Sequence, residues 1–220
     1  MPSSPTPVQS PLARTITVIG SGCVTVHPDL ADLRLGVSVT EPTPEAARQA
    51  SARAMNEVIA RLKALGIADR DLQTSIVSVS PAYDYSSNTN PPRLAGYTIT
   101  NLIAVVVRDI ERVGDAIDAS LAFGATTVDQ ITFRVEDPSA AERQAREAAM
   151  TDAKGRAETL ASAAGVSITG VAAIVEAGAA LPYPTPFAEM AKMAGRDAST
   201  PIEAGMNEVA ATVTVTYLID

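Results

Sequence analysis

The segment Asp137–Gly165, DPSAAERQAREAAMTDAKGRAETLASAAG, has the pattern of one long helix lined with alanine. Asp137-Pro138 favours a helix start, because proline suits the first turn, and Gly165 favours a helix end, because glycine accepts the left-handed capping conformation. Small residues recur along one predicted face. They are Ala141, Ala145, Ala148 or Ala149, Ala153 and Ala157, followed by Leu160 and Ala164. Since alanine permits close approach, we expect this helix to lie tightly against a sheet or another helix.

Two stretches near the N-terminus, Thr15–Val26 and Leu30–Thr40, have the β-branched residues and alternation of strands. The turn residues His27-Pro28-Asp29 separate them, so we predict that they pair as a hairpin. Gly20-Ser21-Gly22 interrupts the first strand. It lacks the third glycine and the following helix of a dinucleotide-binding loop, and we interpret it as a β-bulge.

The remaining elements complete an α+β pattern. They are a helix capped by Thr43 and Pro44 that ends at Gly66, a hairpin of strands at 72–85 and 94–108, a short helix capped by Asp109 that ends at Gly124, a strand at 128–135, the alanine helix, and strands at 166–176 and 209–218. The order is ββαββαβαββ. It predicts a largely antiparallel sheet built of β-hairpin plus helix units, with the helices packed on one face.

Composition narrows the possible partners. The 220 residues carry a formal net charge of −8, and an acidic surface repels phosphate backbones, so we predict no nucleic-acid binding. No apolar run approaches the ~20 residues that span a bilayer, so we predict no transmembrane segment. Aromatic residues make up only 4% of the chain, which leaves Ala, Val, Ile and Leu to build the core.

We predict a disordered N-terminal lead at residues 1–14 and a single domain at 15–220. The lead is rich in Pro, Ser and Thr, and it has neither a basic region nor an apolar stretch. We therefore expect no signal peptide in the sequence as written, and a cytoplasmic location for it. If a signal peptide was removed, the expected location is the periplasm or cell envelope.

Residues for ordinary catalytic or metal chemistry are scarce. The chain has one histidine, His27, and one cysteine, Cys23. A zinc site needs three or four nitrogen or sulfur ligands, and a serine triad needs a positioned histidine. Cys23 has no basic neighbour in sequence, so we interpret it as unreactive. We predict no catalytic residues, no metal and no cofactor.

The segment 177–205 has no predicted strand or helix, and loops of this length are usually functional or disordered. Its candidate interaction residues are Pro182, Tyr183, Pro184, Phe187, Met190 and Met193. Flexible methionines suit adaptable contacts with a second copy of the chain, or with an envelope protein or peptide. Alternatively, the segment is a lid over a small molecule or peptide that stacks on Tyr83, Tyr85 and Tyr97.

Several motifs, taken in order, resemble the SIMPL domain family (domain of unknown function 541), which includes periplasmic immunogenic proteins and YggE-like oxidative-stress proteins of bacteria. The motifs are Ile16–Gly22, Val24-Thr25-Val26, Pro28-Asp29, Leu65-Gly66-Ile67, Leu72-Gln73-Thr74, Tyr83, Tyr85, Gly96-Tyr97, Ala148–Gly165, Pro201–Gly205 and Val213–Tyr217. The resemblance implies an α+β fold, homo-oligomeric assembly, export and tolerance of oxidative stress, and it brings no agreed catalytic residues. We therefore expect a non-enzymatic, self-associating protein that supports envelope or oxidative-stress tolerance, with a small-molecule or peptide-binding module as the alternative.

Overall fold

The computed structural model describes residues 14–85, 91–177, 183–185 and 200–220. Within them lie three α-helices and eight strands. The elements are β1 (Thr15–Val26), β2 (Leu30–Glu41), α1 (Pro44–Ala64), β3 (Leu72–Asp84), β4 (Arg93–Val107), α2 (Val113–Ala122), β5 (Thr127–Arg134), α3 (Ser139–Ala164), β6 (Ile168–Ala177), β7 (Tyr183–Thr185) and β8 (Met206–Ile219). The predicted α+β class, antiparallel pairing and element order are confirmed, with the three-residue β7 as an addition. Among the described residues, no helix combines the length and apolar character needed to cross a bilayer.

The chain divides into two compact units that alternate along the sequence. The first unit contains β1, α3, β6 and β8 from Glu208 onward. The second unit contains β2 to β5 with α1 and α2. Each unit has its own sheet, so the strands form two sheets where the sequence suggested one. The single domain at 15–220 stays a prediction.

In the first unit, α3 lies against a sheet with the strand order β1-β8-β6, and β7 pairs with β8. The alanine stripe is confirmed, but it keeps a strict four-residue spacing to the end of the helix. Its buried members are Ala141, Ala145, Ala149, Ala153, Ala157 and Ala161. The predicted continuation through Leu160 and Ala164 is wrong. The four-residue spacing turns Ala161 inward and leaves half of the Leu160 surface exposed. Gly165 ends the helix with a φ of 71°.

The two glycines of β1 face α3. Inward and outward positions alternate without a break through Ser21, so the structure does not support the predicted bulge. A Cβ atom on Gly20 would lie 2.6 Å from the Cβ of Ala153, and one on Gly22 would lie 2.5 Å from the amide nitrogen of Ala149. Both glycines therefore serve close packing of the strand against the alanine stripe.

The second unit has the strand order β3-β4-β2-β5, and its core is covered by α1 and α2. The predicted hairpin of β3 and β4 is confirmed. The predicted hairpin of β1 and β2 is wrong, because β2 pairs with β4 over eleven residues on one side and with β5 on the other. This pairing puts the alternating Leu33, Leu35 and Val37 into the core of the second unit, where all three are buried.

Helix α1 begins as predicted, with the Thr43 hydroxyl accepting a hydrogen bond from the Ala46 amide at 3.2 Å. Gly66 follows the helix with a φ of 90°, as expected for a left-handed cap. The buried face is Ala47, Ser51, Met55, Val58 and Leu62. It therefore includes a serine among apolar residues. In α2, Leu121 is 46% exposed, and Ser120 is buried.

Candidate functional site

Most of the predicted docking segment lies outside the described residues. This applies to Pro182, Phe187, Met190 and Met193, and only the backbone of Tyr183 and Pro184 is described, in β7. The following residues are held by the second unit. Thr200 donates hydrogen bonds from its amide and its hydroxyl to the Asp118 carboxylate, at 3.0 and 2.6 Å. Ile202 packs against the core.

The three tyrosines predicted to stack on a ligand lie near the end of the β3–β4 hairpin at which the chain passes from β3 to β4. Tyr83 is 47% exposed and Tyr85 is 76% exposed. Tyr97 is partly buried and faces Pro81 across the hairpin. None of the three contributes to the cleft described next, and a stacking role for them stays a prediction.

A cleft of about 590 Å³ opens between the first half of α1 and the β3–β4 hairpin. The sheet supplies two rows of paired residues to it, Val77 opposite Asn101 and Val79 opposite Ile99. Within these rows Val77 is 64% exposed and Val79 is 56% exposed, whereas Ile99 is 5% exposed. The cleft therefore presents an apolar wall on the edge strand, beyond the part of the sheet that α1 covers.

The helix side of the cleft is formed by short side chains, Ser51 and Ala52, with Pro44 and Arg48 at its N-terminal end. The Arg48 guanidinium donates two hydrogen bonds to the Glu45 carboxylate, at 2.7 and 3.1 Å. This pairing, together with Gln49, lowers the pKa of Glu45 to about 2. Both partners therefore stay charged at neutral pH and neutralise each other at the rim.

Two polar atoms of this cleft have no hydrogen-bond partner. In the described part of the chain, three buried side-chain oxygens lack one, and two of them, Ser51 Oγ and Asn101 Oδ1, belong to residues that line the cleft. Ser120 behaves differently, because its buried hydroxyl donates to the Ala116 carbonyl one turn back at 2.6 Å. An unpaired buried polar group costs about 1–3 kcal/mol, so the two orphan oxygens are unusual. Sequence patterns did not indicate this cleft.

A second exposed apolar surface is the edge strand β6. It pairs with β8 on one side, and no described strand pairs with its other side. Val171, Ile174 and Val175 are 49%, 55% and 61% exposed. Soluble proteins usually protect such edges with lysine, proline or short strands. β6 has ten residues and contains neither lysine nor proline.

The single cysteine is exposed, in contrast to the buried position that an unreactive cysteine would suggest. Its thiol is hydrogen-bonded to Glu208, and this bond, with partial loss of water around the thiol and the negative charge of Glu208, raises the Cys23 pKa to about 11. The nucleophilic form is the thiolate, which such an environment disfavours. Low reactivity therefore comes from an acidic neighbour, which sequence adjacency could not reveal.

We expect Glu208→Gln to raise the rate at which iodoacetamide alkylates Cys23 at pH 8 by about tenfold or more. Lowering the pKa of Cys23 from about 11 towards its ordinary value of 9.0 increases the thiolate fraction about a hundredfold, and weaker intrinsic nucleophilicity offsets part of that gain. Mass spectrometry would follow the reaction. Glu176→Gln is the control, since Glu176 pairs with Arg146 instead. An unchanged rate in Glu208→Gln would show that Glu208 does not control the thiol.

Metal-binding and triad chemistry find little support among the described residues. No three His, Cys, Asp or Glu side chains there converge to hold a metal ion. His27 is exposed in the turn between β1 and β2. Asp32, one of the acids near it in sequence, pairs with Arg134 at 2.6 Å.

Known proteins resemble this chain along most of its length. The family model SIMPL, described as a protein of unknown function (DUF541), matches residues 16–217. The 26 kDa periplasmic immunogenic protein of Brucella melitensis is 35% identical over 211 residues, which cover 93% of this chain and 84% of that protein. The protein of the same name from Brucella abortus is equally similar. The uncharacterized protein YggE of Escherichia coli K12 is 26% identical over 67% of this chain and 59% of its own length. None of these names is that of an enzyme.

Proposed function

The chain belongs to the SIMPL family, and on that premise we propose that it is a non-enzymatic, self-associating protein that supports cell-envelope or oxidative-stress tolerance. The observation that carries the assembly is the open apolar edge of β6. A second copy that pairs with this edge would satisfy its backbone hydrogen-bonding groups and cover Val171, Ile174 and Val175. β6 also leads directly into the segment 177–205, for which we predicted docking contacts.

The edge strand of the second unit, β3, is less suited to assembly. It also exposes apolar residues, but Pro81 has no amide hydrogen to donate. Proline discourages edge-to-edge pairing, whereas register irregularities do not distinguish the two strands, because β3 and β6 each have two of them. β6 contains no proline, so we assign the assembly to it.

The cellular role rests on the family. The Brucella relatives are named as periplasmic, and we extend that location, the periplasm or cell envelope, to this chain. Tolerance of oxidative stress comes from the family resemblance. The high pKa of Cys23 argues against a thiol that consumes oxidant directly. In cells lacking the gene, Cys23→Ser should therefore restore peroxide survival as well as the wild type does.

We expect Val175→Lys to weaken self-association at least tenfold, because an ammonium group would have to be buried, without a partner, at the paired edge. Multi-angle light scattering across micromolar concentrations would measure the change in mass. Thr169→Lys is the control, since it adds the same charge to the same strand at a position without apolar exposure. A wild type that is strictly monomeric, or a Val175→Lys variant that assembles normally, would contradict the proposal.

A second candidate function, binding of a small molecule or peptide, is favoured by the cleft between α1 and the β3–β4 hairpin. Its volume of about 590 Å³ lies within the range of about 300–1,000 Å³ typical of ligand sites. It has the common composition of such sites, which is a mostly apolar wall with few polar groups.

A further inference from the structure

We infer that the cleft between α1 and the β3–β4 hairpin binds a neutral aliphatic molecule whose polar head donates a hydrogen bond to Asn101 Oδ1 and exchanges a second hydrogen bond with Ser51 Oγ. The inference rests on the second candidate function, ligand binding, and adds the chemical class of the ligand. Four properties of the cleft carry it: its wall, its polar atoms, its charge balance and the position of Ser51 in α1.

The apolar wall of the cleft favours a ligand with an aliphatic body. Val77 and Val79 expose more than half of their surface into or beside the cleft, and Ile99 and Ala52 line it. Burying such surface against a hydrocarbon is favourable in proportion to the area removed from water. No aromatic side chain among the described residues lines this cleft, so stacking on a planar ligand has no platform there.

The two unpaired oxygens of the cleft favour a ligand that donates a hydrogen bond. An asparagine Oδ1 accepts hydrogen bonds only, whereas a serine hydroxyl both donates and accepts. In Asn101 and Ser51 these atoms are buried and unpaired. A ligand hydroxyl or amide N–H satisfies Asn101, and the oxygen of the same group accepts from Ser51. An ether or a hydrocarbon leaves Asn101 unpaired.

The balanced charges of the residues that line the cleft favour a ligand with a neutral polar group. The charged residues lining the cleft are Glu45 and Arg48, and they form a two-point ion pair with each other. A carboxylate ligand would lose its water without gaining a free counter-charge, which is costly. A neutral alcohol or amide carries no such cost.

The position of Ser51 in α1 indicates that its hydroxyl serves binding and does not stabilise the helix. It is 2% exposed and occupies a buried position of α1 between Ala47 and Met55, where an alanine would pack and would favour the helix. Three other helical hydroxyls, those of Ser120, Thr151 and Thr159, bond to the carbonyl one turn back. Ser51 makes no such bond. Its hydroxyl therefore contributes nothing to the helix that alanine would not supply better.

The test is an NMR titration of the full chain with three probes that each contain eight carbon atoms. They are 1-octanol, its isomer 1-methoxyheptane, and octanoate. We expect 1-octanol to shift the amide signals of Ala52, Val77, Val79 and Ile99 saturably. The ether, which cannot donate, should bind about three- to tenfold more weakly, as one hydrogen bond predicts, and octanoate more weakly still.

Ser51→Ala should weaken the binding of both 1-octanol and the ether about three- to tenfold, because the oxygen of each accepts a hydrogen bond from the Ser51 hydroxyl, and it should raise the thermal midpoint of the free protein. Ser80→Ala, an exposed position of β3 that does not line the cleft, is the matched control. Equal binding of alcohol and ether, no effect of Ser51→Ala, or preference for octanoate overturns the ligand class and leaves ligand binding standing. If none of the probes shifts the cleft residues, both the class and the binding function fail.

Discussion

Gly22→Ala is expected to destabilise the first unit by about 3 kcal/mol, which is the upper part of the range for overpacking a dense interface. The added Cβ would overlap the carbonyl oxygen of Ala145 and lie 2.5 Å from the amide nitrogen of Ala149. These are backbone atoms of α3, so no rotamer change can relieve the clash, and the helix must move away from β1. Urea unfolding followed by circular dichroism would measure the loss.

Gly155→Ala supplies the matched control, since it makes the same substitution in α3 itself. Nothing lies within 4 Å of a Cβ placed at Gly155, and alanine favours a helix interior over glycine. We expect a gain of about 0.5–1 kcal/mol, opposite in sign to Gly22→Ala. Equal effects of the two substitutions, or a neutral Gly22→Ala, would mean that the glycines of β1 do not set the distance between strand and helix.

The close packing of α3 shows how far the sequence pattern reaches. Alanine spacing and the terminal Pro138 and Gly165 predicted the helix, its buried face and its close approach to a neighbour. The neighbour was missed. Gly20 and Gly22 have no side chain and give no hydrophobic signal, so they were interpreted locally as a bulge. Only the three-dimensional register shows that they lie opposite Ala145, Ala149 and Ala153.

Local sequence patterns also could not predict which strands pair with each other. β1 and β2 are joined by a short turn, which favours a hairpin, yet they lie in different sheets. The alternation that predicts a strand does not specify which strand pairs with it. β3 and β4, by contrast, pair with each other as predicted.

The candidate cleft was missed for a related reason. Val77 and Val79 alternate as core residues of a strand do, and only the extent of α1 leaves them exposed. Ser51 carries the one available signal, a polar residue at a buried position of the α1 stripe, where it follows Ala47 and precedes Met55 by four residues. Phe187, Met190 and Met193, which the sequence favoured, lie outside the described residues.

Leu62→Ala is expected to destabilise the second unit by about 3 kcal/mol. The Leu62 side chain is fully buried in the core cluster with Val58 and Met55. Truncating a buried leucine loses its transfer free energy and leaves a cavity. The total cost is about 2.7–5 kcal/mol where the surrounding structure cannot collapse into the cavity. Leu160→Ala is the matched control, because Leu160 also lies on a helix but is half exposed, and its loss should cost less than about 1 kcal/mol.

Leu62 and Gly22 lie in different units, so the two variants together test the prediction of a single domain at 15–220. In one cooperative domain, either substitution lowers the same unfolding midpoint, because all residues share one global transition. In two independent domains, Leu62→Ala lowers the hydrogen-exchange protection of β2 and β4 and leaves that of β8 unchanged. Residue-resolved hydrogen exchange distinguishes these outcomes, and protection lost throughout both sheets in Leu62→Ala is the result that we expect.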